Sequence, residues 1–144
     1  MRQEITLTVP SSTEFLHVVG AVMSEMAALA GFDDRQRRRI ELAVDEACSN
    51  VLLCAYQQES EQSYRIGCVK EASELRITIT DWGQDYAFPA AGELSLPAKL
   101  PDPSSANIGL YLIYQIMDEV TFVSQTQQHV LSMRKLLHPS DARP

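Results

Sequence analysis

The chain has few of the residues that metal, thiol or nucleic-acid chemistry needs. Its three cysteines, Cys48, Cys54 and Cys68, are odd in number and lack the paired C-x-x-C spacing of zinc or dithiol sites, so they read as reduced core thiols. Its three histidines, His17, His129 and His138, stand at no metal-binding interval, and no G-x-S-x-G elbow is present. A metal cluster and a serine triad are therefore not expected. No apolar run approaches the roughly 18–20 residues that span a bilayer, and no basic stretch followed by an apolar one opens the chain. That pattern predicts a cytoplasmic protein without a membrane anchor. Basic residues are scarce: 12 Lys and Arg against 19 Asp and Glu give a net charge of -7. Such a surface repels phosphate backbones, so direct nucleic-acid binding is not expected. The one basic cluster, Arg35, Arg37, Arg38 and Arg39, follows Asp33-Asp34 and opens a helix, which suits a solvated face or an acidic partner better than DNA.

What is present suffices for one domain. At 144 residues and 45% hydrophobic content, the chain can bury a core without staples. Residues 4–9 alternate polar and apolar before Pro10, the pattern of a half-buried strand. Ser11 and Glu14 form a capping box ahead of a helix that Gly31 stops. A second helix is predicted from Asp33, with Gln36 as its capping partner, to about Tyr56. Tyr64, Ile66 and Cys68, then Leu75, Ile77 and Ile79, predict a hairpin. Residues 84–107 hold four of the seven prolines and no periodicity, which marks a lid or binding loop. A buried helix over Ile108–Met117 and a hairpin over 119–125 and 128–137 follow. The tail 138–144 is expected to fray. Strands at both ends with helices between them predict an α+β fold, with helices on one face of a mixed, largely antiparallel sheet.

Glu46 and Asn50 lie one turn apart at the edge of the second helix's buried stripe, and Cys54 continues that ridge. Alone, the pair also fits a solvated border. Its setting, Leu42 to Tyr56, reads LAVDEACSNVLLCAY and resembles the N-box of the GHKL, or Bergerat-fold, ATPase superfamily, above all its anti-sigma-factor serine kinases. Asp81-Trp82-Gly83 is similar to that family's D-x-G box. Gly109-Leu110-Tyr111-Leu112-Ile113 with Met117-Asp118-Glu119-Val120 is similar to its second glycine box and the helix behind it.

The resemblance implies a histidine-kinase-like ATPase domain over residues 1–137, a two-layer α/β sandwich that binds ATP with Mg²⁺. It implies that Asp81 accepts the exocyclic amine of adenine, while Gly83 lets backbone approach the purine. Asn50 would be the Mg²⁺ ligand, Glu46 the general base that takes a serine proton, and Ala106, Asn107, Gly109 and Leu110 the phosphate-facing start of a helix. The implied partners are a sigma factor or other regulator and an antagonist carrying a STAS domain. Leu42 and Leu53 fall outside the buried stripe and suit a partner surface or a homodimer. Ala106-Asn107 stand where related sequences place two glycines, Cys54 where they place histidine, and Gly20 where they often carry a basic residue. A second reading therefore stays open: a regulatory binding module that keeps the fold without productive ATP chemistry. A third, a regulatory domain from a larger sensor kinase, lacks support from any phosphoacceptor-histidine helix pair.

Overall fold

The computed structural model describes residues 3–57, 61–94 and 106–144, with backbone only for 106 and 107. The N-terminal residues form β1 (Gln3–Pro10), and α1 (Leu16–Leu29) and α2 (Asp34–Asn50) follow. A hairpin, β2 (Ser63–Glu71) and β3 (Glu74–Asp81), comes next, then α3 (Ala106–Ile116) and a second hairpin, β4 (Glu119–Gln125) and β5 (Gln128–Leu136). The five strands run in the order β1-β2-β3-β5-β4, and every pairing between them is antiparallel.

Side-chain alternation assigns the faces. Tyr64, Ile66 and Cys68 of β2, Leu75, Ile77 and Ile79 of β3, and Leu131 and Met133 of β5 are all buried, while the residues between them point to the other face of the sheet. The register stacks them directly: Ile66 faces Ile79, which faces Leu131, and Cys68 faces Ile77, which faces Met133. Against this face lie the helices, with α2 between α1 and α3. α2 contributes Ile40, Ala43, Val44, Ala47 and Cys48 to the core, a stripe at helical spacing.

Helix boundaries hold three differences from expectation. α1 begins at Leu16, after a 3₁₀ turn over Thr13–Phe15, so Ser11 does not cap it; Ser11 is buried and its N–H donates to the Gln62 carbonyl at 2.9 Å. Asp33 does cap α2, its Oδ1 accepting the Gln36 N–H at 2.8 Å, but the Gln36 side chain donates to Asp141 at 3.0 Å instead of completing a box. α3 starts at Ala106, so the last two residues assigned to the lid belong to the helix.

The C-terminal residues, expected to fray, are tied down. Phe32 bridges Ala142, Asp33 N–H donates to the Asp141 carbonyl at 2.8 Å, and Arg143 N–H donates to the Gly31 carbonyl at 2.8 Å. The junction between two helices leaves backbone donors and acceptors without helical partners, and the tail satisfies them. Of the 84–107 segment, residues 84–94 lack regular structure except for a 3₁₀ turn at Ala91–Glu93. Pro97, Lys99, Pro101 and Pro103 lie outside the described residues.

Candidate functional site

Glu46 lies four residues before the end of α2 and is half-buried. Burial raises its carboxyl above the ordinary range, and the neighbouring charge of Asp45 raises it further. Its carboxylate rests on Gly109 of α3: a methyl group there would stand 3.0 Å from Glu46 Cδ and nearer still to Oε2. Only glycine lets the helix and the acid meet this closely. Gly109 and Leu110 are buried in that contact region, and Ala106 and Asn107 form the first two backbone positions of α3. The start of an 11-residue helix, with N–H groups that have no helical partner, therefore lies one turn from the Glu46 carboxylate.

Asn50 ends α2 on the same ridge, and the Cys54 thiol donates to its Oδ1 at 3.5 Å. Beyond it the helix widens: Val51–Ala55 is a π turn, closed by the Tyr56 N–H donating to the Val51 carbonyl at 3.3 Å. Such turns are rare and gather at functional sites. This one abuts the loop after β3. Gln84 N–H donates to the Ala55 carbonyl and the Gln84 side chain to the Cys54 carbonyl, both at 2.9 Å. A methyl group on Gly83 would come 2.6 Å from the Ala55 carbonyl carbon, so glycine is required for this approach.

Asp81, at the end of β3, is 1% exposed and fully engaged. Its Oδ1 accepts the Gly83 N–H at 3.1 Å and faces His129 Nδ1 at 2.7 Å, and its Oδ2 accepts the Tyr86 hydroxyl at 2.8 Å. The register makes Asp81 and His129 direct cross-strand partners on the helix-facing side of the sheet. The other ring nitrogen of His129, Nε2, lies 3.0 Å from Asp85 Oδ1. Tyr86 and Phe122 flank the His129 ring at 4.7 and 5.9 Å, and Phe88 stacks on Phe122 at 5.3 Å. Burial, then the charge and hydrogen bond of Asp81, hold the Tyr86 phenol far above its usual value, so it stays a donor. The Tyr114 hydroxyl of α3 donates to the Pro89 carbonyl at 2.7 Å, which pins residues 86–89 across the gap between α3 and the sheet.

Two groups thus emerge from the residues singled out in the sequence. Glu46 and Gly109 meet at the α2–α3 contact, and Asp81 and Gly83 sit at the end of β3, joined to Asn50 through Cys54, Ala55 and Gln84. His129, Tyr86 and Tyr56 were not singled out. Tyr56 ties the N-box to the loop, its hydroxyl donating to the Ser63 carbonyl at 2.6 Å and accepting the Trp82 N–H at 3.1 Å. A cavity of about 410 Å³ opens beside this loop, lined by Ala55, Tyr56, Gln62, Trp82, Gly83 and Gln84 among others, and holds neither Glu46 nor Asp81. Among the described residues no three His, Cys, Asp or Glu side chains converge as a metal cluster. Asn50 still fits a hard cation, because among the described residues its oxygen is engaged only by a weak thiol donor that a cation would displace at small cost. Among the described residues no helix is long and apolar enough to cross a membrane.

Residues 9–135 match the histidine kinase-like ATPase domain family. The chain is 30% identical over 139 residues to the serine-protein kinase RsbW of Halalkalibacterium halodurans, covering 94% of this chain and 84% of that one. It is 27% identical over 122 residues to the RsbW of Bacillus subtilis, covering 81% and 75%. In fold it resembles a Mycobacterium tuberculosis chain with RsbU and RsbW domains, at a TM-score of 0.68 and 15% identity, covering 99% of this chain and 33% of that one. It also resembles a chain of the SiaB–SiaC complex from Pseudomonas aeruginosa, at a TM-score of 0.59 and 10% identity, covering 92% and 88%.

Proposed function

The chain belongs to the histidine kinase-like ATPase domain family, and from that premise we propose that it is an anti-sigma-factor-type serine kinase of a partner-switching system. Its substrates in this reading are Mg-ATP and a serine on a STAS-domain antagonist, and its second partner is a sigma factor or comparable regulator. The observation that carries the proposal is the Glu46–Gly109 contact, a carboxyl raised by burial at the start of a helix. A raised carboxyl is a stronger base, and helix-start N–H groups favour phosphate oxygens. Glu46 takes the proton of the partner's serine hydroxyl as that oxygen bonds to the γ-phosphorus and ADP leaves. Asn50 supplies one oxygen ligand to Mg²⁺, which neutralises phosphate charge when bound. Asp81 and Gly83 hold the adenine, and Ala106, Asn107, Gly109 and Leu110 face the phosphates.

A specific observation favours the second reading, a binding module without phosphotransfer: Asp81 is buried and already bonded to three groups of its own chain. The two are separated by offering purified STAS-domain candidates with labelled ATP to wild type, Glu46→Gln and Asn50→Ala. The kinase gives transfer that falls about 10² to 10⁴-fold in Glu46→Gln, with ATP affinity kept. Asn50→Ala instead weakens Mg-ATP binding. Transfer that survives Glu46→Gln intact overturns the base assignment, and tight partner binding without transfer selects the module.

A further inference from the structure

The two oxygens of Asp81 differ in what they can give up. Oδ1 serves the Gly83 N–H, fixed by the turn, and His129, fixed by the strand register. Among the described residues Oδ2 serves only a side chain, the Tyr86 hydroxyl, on a segment without regular structure. A phenol donating to a carboxylate oxygen is chemically exchangeable with an amine donating to it, and the Tyr86 ring packs at a tilt against the parallel rings of His129 and Phe122, an aromatic wall that another ring can meet.

We propose that Tyr86 is a built-in competitor for the nucleotide base: its hydroxyl and ring hold the place that the exocyclic amine and ring of adenine take, so the free protein rests with its base seat closed. The proposal rests on the assignment of Asp81 as the base acceptor. It explains how a chain can keep the acid for recognition and yet leave it only 1% exposed. Binding then exchanges one donor at Oδ2 for another and one ring for another, and affinity is set by how readily residues 86–89 leave. The Tyr114–Pro89 bond is the latch on that segment.

Calorimetric titrations of wild type, Tyr86→Phe and Tyr114→Phe with ATP and with GTP, with Mg²⁺ present, test this. Tyr86→Phe keeps the ring but frees Oδ2, so its Kd for ATP should fall about 10-fold or more, because a hydrogen bond to a charged group no longer has to be broken. Tyr114→Phe loosens the segment without touching Asp81 and should tighten ATP by a smaller factor. Guanine presents a carbonyl where adenine presents its amine, so GTP should stay weak throughout. Thermal melts confirm that each variant is folded. An ATP Kd in folded Tyr86→Phe equal to or weaker than that of a wild type that binds ATP overturns the competitor alone. Equal tightening of ATP and GTP overturns it too, since the gain is then not at the amine. If no variant binds ATP at millimolar concentration, the Asp81 assignment itself fails and the competitor falls with it.

Discussion

His129→Leu tests the buried pair that closes the end of β3. His129 is 0% exposed and stands 2.7 Å from an Asp81 that is 1% exposed, so the substitution removes the nearest partner of a buried carboxylate. Leucine is close to histidine in volume and keeps most of the contact with Phe122, so cavity formation is a minor part of the loss. What remains, among the described residues, is an acid whose Oδ1 keeps only the Gly83 N–H at 3.1 Å and whose Oδ2 keeps Tyr86. Removing one member of a buried pair costs about 3–5 kcal/mol. For a domain of this size that corresponds to a Tm lower by roughly 6–20 °C. Trp82, the only tryptophan, follows Asp81 directly and reports local unfolding by fluorescence in a urea titration. Asp81→Asn combined with His129→Leu removes the charge but keeps an amide oxygen as an acceptor for the donors at this position, and should recover much of the loss, because no buried charge is left without its partner. A loss below about 1 kcal/mol in the single variant, or no recovery in the double one, refutes this account of the pair.

Gly109→Ala should leave folding almost unchanged and damage function. The new methyl group forces the Glu46 carboxylate outward, a helical Gly→Ala change contributes up to about 1 kcal/mol of stability in return, and in the proposed kinase a base misplaced by an ångström costs about 10²-fold in rate. A carboxyl-resolved NMR titration should show Glu46 moving down toward the ordinary range; an unmoved Glu46 refutes the contact. Glu46→Gln predicts a pH dependence of stability. Because folding raises the Glu46 carboxyl, its contribution to stability is full below about pH 4.5 and is lost as pH rises through the raised value. Urea curves of wild type and Glu46→Gln should therefore diverge from acid to neutral pH, with the variant gaining relative stability; a constant difference across that range sinks the argument.

The motif residues were legible because their spacing reflects helix and strand geometry. Glu46, Asn50 and Cys54 share one ridge at intervals of four, and the ridge appears as a thiol-to-amide hydrogen bond. The strands were legible from alternation, and Leu42 and Leu53, expected outside the core, are 41% and 49% exposed. His129 shows where legibility ends. Its parity with Leu131 and Met133 places it on the buried face, and that much is written in the sequence. Its partner is not, since only the register of β5 on β3, a long-range choice made by the whole sheet, sets it opposite Asp81. The π turn was illegible for a related reason. Val51–Ala55 reads as good helix, and its widening coincides with the packing of the Gly83–Gln84 loop on the Ala55 carbonyl. The docked tail depends likewise on backbone groups at the α1–α2 junction that no side-chain pattern announces.

That π turn also decides how the two halves of the site stand together. The Asp81 end is built from β3, β5 and residues 82–89, and the Glu46 end from α2 and α3, with no strand in common with the first. Between them runs one short chain of contacts: Asp81 holds the Gly83 N–H, Gly83 and Gln84 sit on Ala55 and Cys54, and Cys54 donates to Asn50. A regular α-helical turn would present different carbonyls to the loop, so the distance from the Asp81 carboxylate to the Asn50 amide depends on this local widening. The glycine at 83 is what allows the junction to close, because any larger residue meets the Ala55 backbone, which has no rotamer to yield. Only the Oδ2 side of Asp81 lies off this chain, which is why a donor there can change while the frame between acid and amide stays in place.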